Sequence, residues 1–213
     1  MATATSLLLA LHIAAGFSAL GSGLLAAGNK VINRGRRWHV LAGRTFVVAM
    51  SVVFVTAVPL SILRANIFLL LIAIFSFYLA FSGWCLARNR SGRPQRVDRV
   101  RAISMLLCAG AMATYGVLLL SRGNSGGSIM LVFGVIGAFL GVNDIRIIRG
   151  GGVSGPARIA RHLTMMLAAT IAAITAFLVV NLVFHPALVL WLAPTVVIVP
   201  LIVIMSRRVK QTA

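Results

Sequence analysis

Residues 127–148 read GSIMLVFGVIGAFLGVNDIRII, and Arg149 follows, then Gly150, Gly151, Gly152, Val153, Ser154, Gly155 and Pro156. A run of this length makes roughly 33 Å of α-helix at ~1.5 Å per residue, enough to cross a hydrocarbon core of ~30 Å. Gly134, Gly137 and Gly141 recur at spacings of three and four, so they share one stripe, and Asp144 continues it. Small residues on a stripe let helix backbones approach closely, which matters where lipid tails supply no hydrophobic drive between helices. The stretch reads as a transmembrane helix whose glycine face, ending in a carboxylate, turns towards its neighbours.

Outwards from this span the pattern repeats. The candidate spans are roughly 6–27, 40–63, 66–87, 102–121, 127–148, 160–182 and 187–206. Between them lie short connectors rich in Arg, Gly, Asn, Ser or Pro, and none is long enough for a separate domain. The expected fold is all-α: a polytopic transmembrane helical bundle of about seven spans, one integral membrane domain over residues 1–213. Composition agrees, with 60% hydrophobic and 10% charged residues and a mean hydropathy of +1.03. Such a chain is soluble in lipid, not in water. Residues 1–27 carry no Lys or Arg before an apolar run longer than a signal-peptide core, so this segment is expected to stay attached as the first span.

Charge tests the span count, because cytoplasmic loops should hold the Lys and Arg excess. With the loop after the first span inside, Lys30, Arg34, Arg36, Arg37 and Arg44 are cytoplasmic. Next come Arg88, Arg90, Arg93, Arg96, Arg99 and Arg101, then Arg146, Arg149, Arg158 and Arg161, then Arg207, Arg208 and Lys210. Only Arg64 and Arg122 remain outside. The N-terminus is therefore expected outside and the C-terminus in the cytoplasm of a cell with an inner, plasma membrane. The net charge of +18 is read as topology and as contact with anionic lipid headgroups at the basic loops, not as nucleic-acid binding.

Other side chains fit this frame. Trp38 and Trp84 fall at the inner boundary and Trp191 near the outer one, where an indole keeps its N–H wet. Cys85 and Cys108 lie inside apolar segments without CxxC spacing and read as small buried hydrophobes. His12, Gly16, Ala19 and Gly23 share a face of the first span. Ser104, Cys108, Ala111 and Tyr115 share one in the fourth, Tyr78, Ser82 and Cys85 lie together in the third, and Thr170 and Asn181 share a face in the sixth. The Asn181 amide, if buried in hydrocarbon, requires a partner.

An ionisable group within a span is costly, so a functional role is the default hypothesis. At the inner end His39 opens the second span, Arg44 sits a turn inside it, Asp144 closes the fifth and His162 opens the sixth. His12, Asn181 and His185 make an outer group. His39 with His162, or His12 with His185, are candidate axial ligands for haem b, since neutral imidazoles from two helices can hold one iron. The plainer reading makes these histidines interhelical or interfacial. Zinc would need three or four ligands around one point, and His12 is a bilayer away from the inner pair. Retinal would need a lysine within the bundle, whereas the chain has only Lys30 and Lys210. Ion-coupled transport is a further reading, with Asp144 carrying a proton and His39 or His162 relaying it. Against it, Asp144 can form a salt bridge to Arg146, Arg44 or Arg161.

Certain motifs occur in an order worth noting. Leu11-His12 with Gly16 is followed by His39 with Gly43-Arg44, by Phe75-Ser76-Phe77-Tyr78 and by Ser82-Gly83. In the second half come Asp144, Arg161-His162-Leu163 with Met165 and Met166, the run from Thr175 to Asn181, and Pro194 with Pro200. This order resembles the bacterial predicted membrane proteins catalogued as domain of unknown function 2306, over nearly the whole chain. The resemblance implies the architecture and marks His12, His39, Arg44, Asp144, His162 and Asn181 as positions to test. It implies no reaction, and His185 falls outside the pattern. The sequence thus points to a polar cluster of His39, Arg44, Asp144 and His162 as the candidate site.

Overall fold

The computed structural model describes residues 2–32 and 35–211. Seven helices follow one another: α1 (Ala2–Ile32), α2 (Arg36–Leu63), α3 (Ile67–Arg88), α4 (Arg96–Ser121), α5 (Gly126–Arg149), α6 (Gly155–Asn181) and α7 (Leu188–Gln211). All seven are long and apolar enough to cross a membrane, and no strand occurs among the described residues. In lipid an unpaired backbone amide has no water to turn to, so a crossing segment must satisfy its hydrogen bonds internally, as a helix does. The chain is a multi-pass transmembrane bundle. Arg34 lies outside the described residues, as does the Lys30 side chain.

The ends show why the helices stop where they do. Helix α4 begins at Arg96, ahead of the apolar run, because the Asp98 carboxylate accepts the Gln95 N–H at 2.7 Å and satisfies a first-turn donor. Helix α3 starts on Asn66, whose side chain accepts the Leu69 N–H at 3.0 Å. Helix α5 ends in a glycine turn, where the Gly152 N–H returns to the Ile147 carbonyl at 2.9 Å and the backbone takes φ values of 87° at Gly151 and 105° at Gly152. The Val153 N–H then donates to the Gly92 carbonyl at 3.0 Å, joining the α3–α4 and α5–α6 connectors at one end of the bundle. A Cβ at Gly152 would run into that same carbonyl oxygen. At the other end the α2–α3 and α4–α5 connectors line a common depression through Asn66 and Asn124.

Helices α3 and α6 pack against each other and hold the rest. Helix α2 rests on α3, α1 packs on α2 and α6, and α7 packs on α6 and touches α5. The α4–α5 hairpin has the most extensive interface and docks on α3 through α4. The shared core contains Phe46, Met105, Met112, Met130 and Met165, all fully buried. Leu7, Leu107 and Val135 stay exposed on their helices, as expected of lipid-facing residues, since lipid is as apolar as the core. Trp191 keeps its place near the start of α7 but is not the wet indole expected there. It is buried, edge-on to Phe68 at 5.1 Å and to Phe133 at 6.0 Å, because the α7 face that carries it turns inwards.

The α5 glycine stripe faces α4 as its spacing indicates. Gly134 lies against Ala109, Gly137 against Met105 and Gly141 against Leu106. The α1 face is less uniform. Gly23 is tight against Phe46 and Thr170, while a Cβ on Gly16 would meet nothing within 4 Å. Gly16→Ala and Gly110→Ala, the second equally open, are expected to leave stability unchanged or raise it by up to about 1 kcal/mol, the helix-propensity difference. Unfolding midpoints in detergent read this directly, and a clear loss at either position would show an unrecognised contact.

Candidate functional site

The chain has two acidic residues in all, and the fold brings both to the arginine-rich end of the bundle. Asp144 extends the inward-facing glycine stripe of α5, so its carboxylate is buried, with 4% of the residue exposed. Its Oδ2 accepts the Tyr78 hydroxyl of α3 at 2.6 Å, and its Oδ1 is ion-paired with Nη2 of Arg161 of α6. Three helices are thereby tied through one carboxylate. In a low-dielectric setting a charge-assisted bond of this kind is stronger than its aqueous counterpart, and losing one member strands the other.

Asp98 makes the second centre. Besides capping α4 through Oδ2, it accepts Arg101 Nη2 on Oδ1 at 2.5 Å. Arg101 stands one turn further along α4, where the helix enters the bundle, and is 8% exposed. Its Nε and Nη1 are buried without a hydrogen-bond partner in the protein. Nearby, Arg158 of α6 donates from Nη1 to the Leu86 carbonyl at 2.5 Å, and its Nε is likewise buried without a partner.

Asp98, Arg101, Asp144 and Arg161 line one small cleft. Cys85 and Leu86 of α3 and Ile147 and Ile148 of α5 form its walls, and the crossed loops supply Gly92, Pro94, Gly152 and Val153. Rigid helix ends thus hold the charged groups, while the glycine crossing closes the cleft on the loop side.

The expected cluster of His39, Arg44, Asp144 and His162 does not assemble as such. Only Asp144 lines the cleft. Arg44 is exposed on α2. His39 places Nδ1 at 3.2 Å from the Ala26 carbonyl of α1, and His162 places Nδ1 at 2.8 Å from the Gly83 carbonyl of α3. Each imidazole is docked on a different neighbour, because equal depth along the membrane leaves position around the bundle undefined. His12 pairs with Thr56 Oγ1 of α2 at 2.9 Å, an interhelical hydrogen bond. Asn181 is exposed at the end of α6 and donates to the Phe177 carbonyl of its own helix at 2.8 Å, so it needs no partner from a neighbour. His185 is exposed in the connector that follows. Among the described residues, no three His, Cys, Asp or Glu side chains converge as a metal site.

Tyr78 and Arg101 are the residues that the sequence did not single out as candidates for the site. Tyr78 had a signal, since it is a hydroxyl inside an apolar span that must find an acceptor. Arg101 follows Asp98 by three residues on one helix face, a spacing that signals an ion pair. Compared with known proteins, the chain matches no protein-family profile, no curated protein and no solved structure.

Proposed function

We propose that the chain is a multi-pass protein of a bacterial inner membrane that binds a small solute in this cleft and couples its passage to a proton. The N-terminus lies outside, and the arginine-rich end, with the cleft, faces the cytoplasm, where Arg93, Arg96 and Arg99 meet anionic headgroups. The observation that carries this reading is the buried Asp144 joined at once to Tyr78 and Arg161 of two other helices. Protonation would cancel its charge, release Arg161 and remove a tie among α3, α5 and α6, which supplies two arrangements for a proton to select between. The helices run on through Pro59, Pro194 and Pro200, so the ion pair rather than a broken helix is the element that switches. Kinship with domain of unknown function 2306 rests on the ordered motifs given above; it adds architecture and no reaction.

The test is flux. Proteoliposomes under an imposed pH gradient should acidify internally, and Asp144→Asn, which keeps size and removes the charge, should slow this by about tenfold or more. Equal rates for the two proteins would discard proton coupling. Topology is checked separately with Ser91→Cys and Ser125→Cys, two exposed loop positions, in a chain freed of Cys85 and Cys108. A membrane-impermeant maleimide should reach them from opposite faces of intact cells; labelling from one face would reject the seven-span orientation.

Electron transfer through haem b at His39 and His162 has less behind it. The two imidazoles lean on separate helices, and neither lines the cleft. A Soret band in protein expressed with haem supplied, lost on His162→Ala, would put that reading in place of this one.

A further inference from the structure

We infer that the open depression between the α2–α3 and α4–α5 connectors binds a small organic monocarboxylate through Arg64. It lies at the opposite end of the bundle from Asp144, so it depends neither on the cleft nor on proton coupling. Its volume is about 320 Å³, within the range of small-molecule sites, and more of its lining is polar than apolar.

Two tight connectors build it. After α2 the N–H groups of Arg64, Ala65 and Asn66 return to the carbonyls of Leu60, Ile62 and Ser61, with Ala65 held at a φ of 49°, a value uncommon outside glycine. After α4 the Asn124 N–H returns to the Leu119 carbonyl at 2.9 Å. The two asparagines then serve the helices that follow. Asn66 Oδ1 accepts the Leu69 N–H at 3.0 Å, and Asn124 Oδ1 accepts the Gly126 N–H at 2.9 Å. Each amide oxygen is thereby engaged at a helix start, which leaves Nδ2 as the donor each amide has to offer.

Arg64, Asn66, Tyr115 and Asn124 all line the depression. Among the described residues, the Arg64 guanidinium, the two Nδ2 groups and the Tyr115 hydroxyl pair with no other protein group. Arg64 and Asn124 are exposed, while Asn66 and Tyr115 are half-buried with these polar atoms still open to solvent. Both acidic residues of the chain lie at the far end of the bundle, so the Arg64 charge has no side-chain counterion here. Donors gathered around one unbalanced cation select an anion.

The class of anion follows from charge and shape. One guanidinium balances one negative charge, and its planar fork matches the two oxygens of a carboxylate. A phosphate monoester carries close to two charges at neutral pH and would find no second cation, because Arg122 does not line the depression. Phe68 and Leu119 supply an apolar side, and Phe68 is held edge-on to Trp191 at 5.1 Å, so a short carbon body has a fixed surface to lie against.

The experiment is equilibrium titration of the purified full chain in neutral detergent at low salt. The titrants are benzoate, its uncharged counterpart benzamide, and inorganic phosphate. Saturable benzoate binding is expected, weakened by at least about tenfold in Arg64→Gln, the scale of one lost charge-assisted contact. Benzamide should bind the wild-type chain more weakly than benzoate by a similar factor, a comparison that needs no variant and decides the matter if Arg64→Gln does not fold. Tyr115→Phe should weaken benzoate severalfold. Arg122→Gln, at the same end but outside the depression, should bind as wild type. Absence of saturable benzoate binding, equal affinity for benzamide, or wild-type affinity in Arg64→Gln overturns the inference, as does phosphate bound more tightly than benzoate. No gradient is involved and Asp144 is left intact, so proton flux and carboxylate binding can each fail without the other.

Discussion

Asp144→Ala is expected to destabilise the bundle by about 3–5 kcal/mol, the scale set by breaking a buried ion pair on one side. The truncation leaves the Arg161 guanidinium, with 12% of its side chain exposed, facing a vacated space, and leaves the Tyr78 hydroxyl without its acceptor. Both groups then carry desolvation costs with nothing in return. Arg161→Met should be milder, since the carboxylate keeps its hydrogen bond from Tyr78. The double variant Asp144→Leu with Arg161→Met removes both charges and fills their volume, so it should lie much closer to wild type than the sum of the single changes. Unfolding in mixed micelles, analysed as a double-mutant cycle, gives the coupling. Strict additivity would mean that the two side chains are not partners.

The fold was legible because lipid leaves a backbone one solution per crossing, and charge alternation then corrects any miscount. Where the helices run past the apolar stretches, the cause is local chemistry at the ends. Asp98 caps α4 six residues before the run at 102 begins, since the helix starts at 96. The site was legible in part. Asp144 stood out because periodicity names the face a residue occupies, and Arg161 was among the partners that depth allowed. Periodicity does not name the neighbour, so Tyr78 read as one interhelical contact among several. Arg101 was hidden for a different reason. A cation at the end of a span satisfies the positive-inside pattern equally well whether its side chain snorkels to water or is buried against an acid. The histidines were grouped by depth, which is one coordinate of a bundle. His39 against α1 and His162 against α3 are separated by the other, the angle around it. Asn181 was expected among helices, and it lies exposed in the last turn of α6, where its amide donates to its own helix's Phe177 carbonyl.

Gly127→Ala should be the most damaging of the glycine substitutions in the α4–α5 hairpin. At this position an added methyl would meet the Gly116 carbonyl oxygen and come within 2.9 Å of the Leu120 backbone nitrogen, and a methyl on Gly116 would come within 2.9 Å of the Gly127 carbonyl oxygen. Backbone faces backbone on both helices, so no rotamer change makes room, and only separation of α4 from α5 relieves the clash. Overpacking of this kind costs about 1–3 kcal/mol, and here it acts on the most extensive interface in the bundle. Gly137→Ala differs in kind. Its methyl would lie 2.6 Å from Met105 Cε, the end of a flexible thioether side chain that can swing aside. The expected order of loss is therefore Gly127→Ala, then Gly137→Ala, with Gly110→Ala silent. Met105→Ala should rescue Gly137→Ala in part, while Leu120→Ala, which removes a side chain but leaves the backbone contact, should do little for Gly127→Ala. Unfolding midpoints measured in one detergent give the ranking, and a Gly127→Ala protein as stable as Gly110→Ala would show that the two backbones do not touch in the membrane.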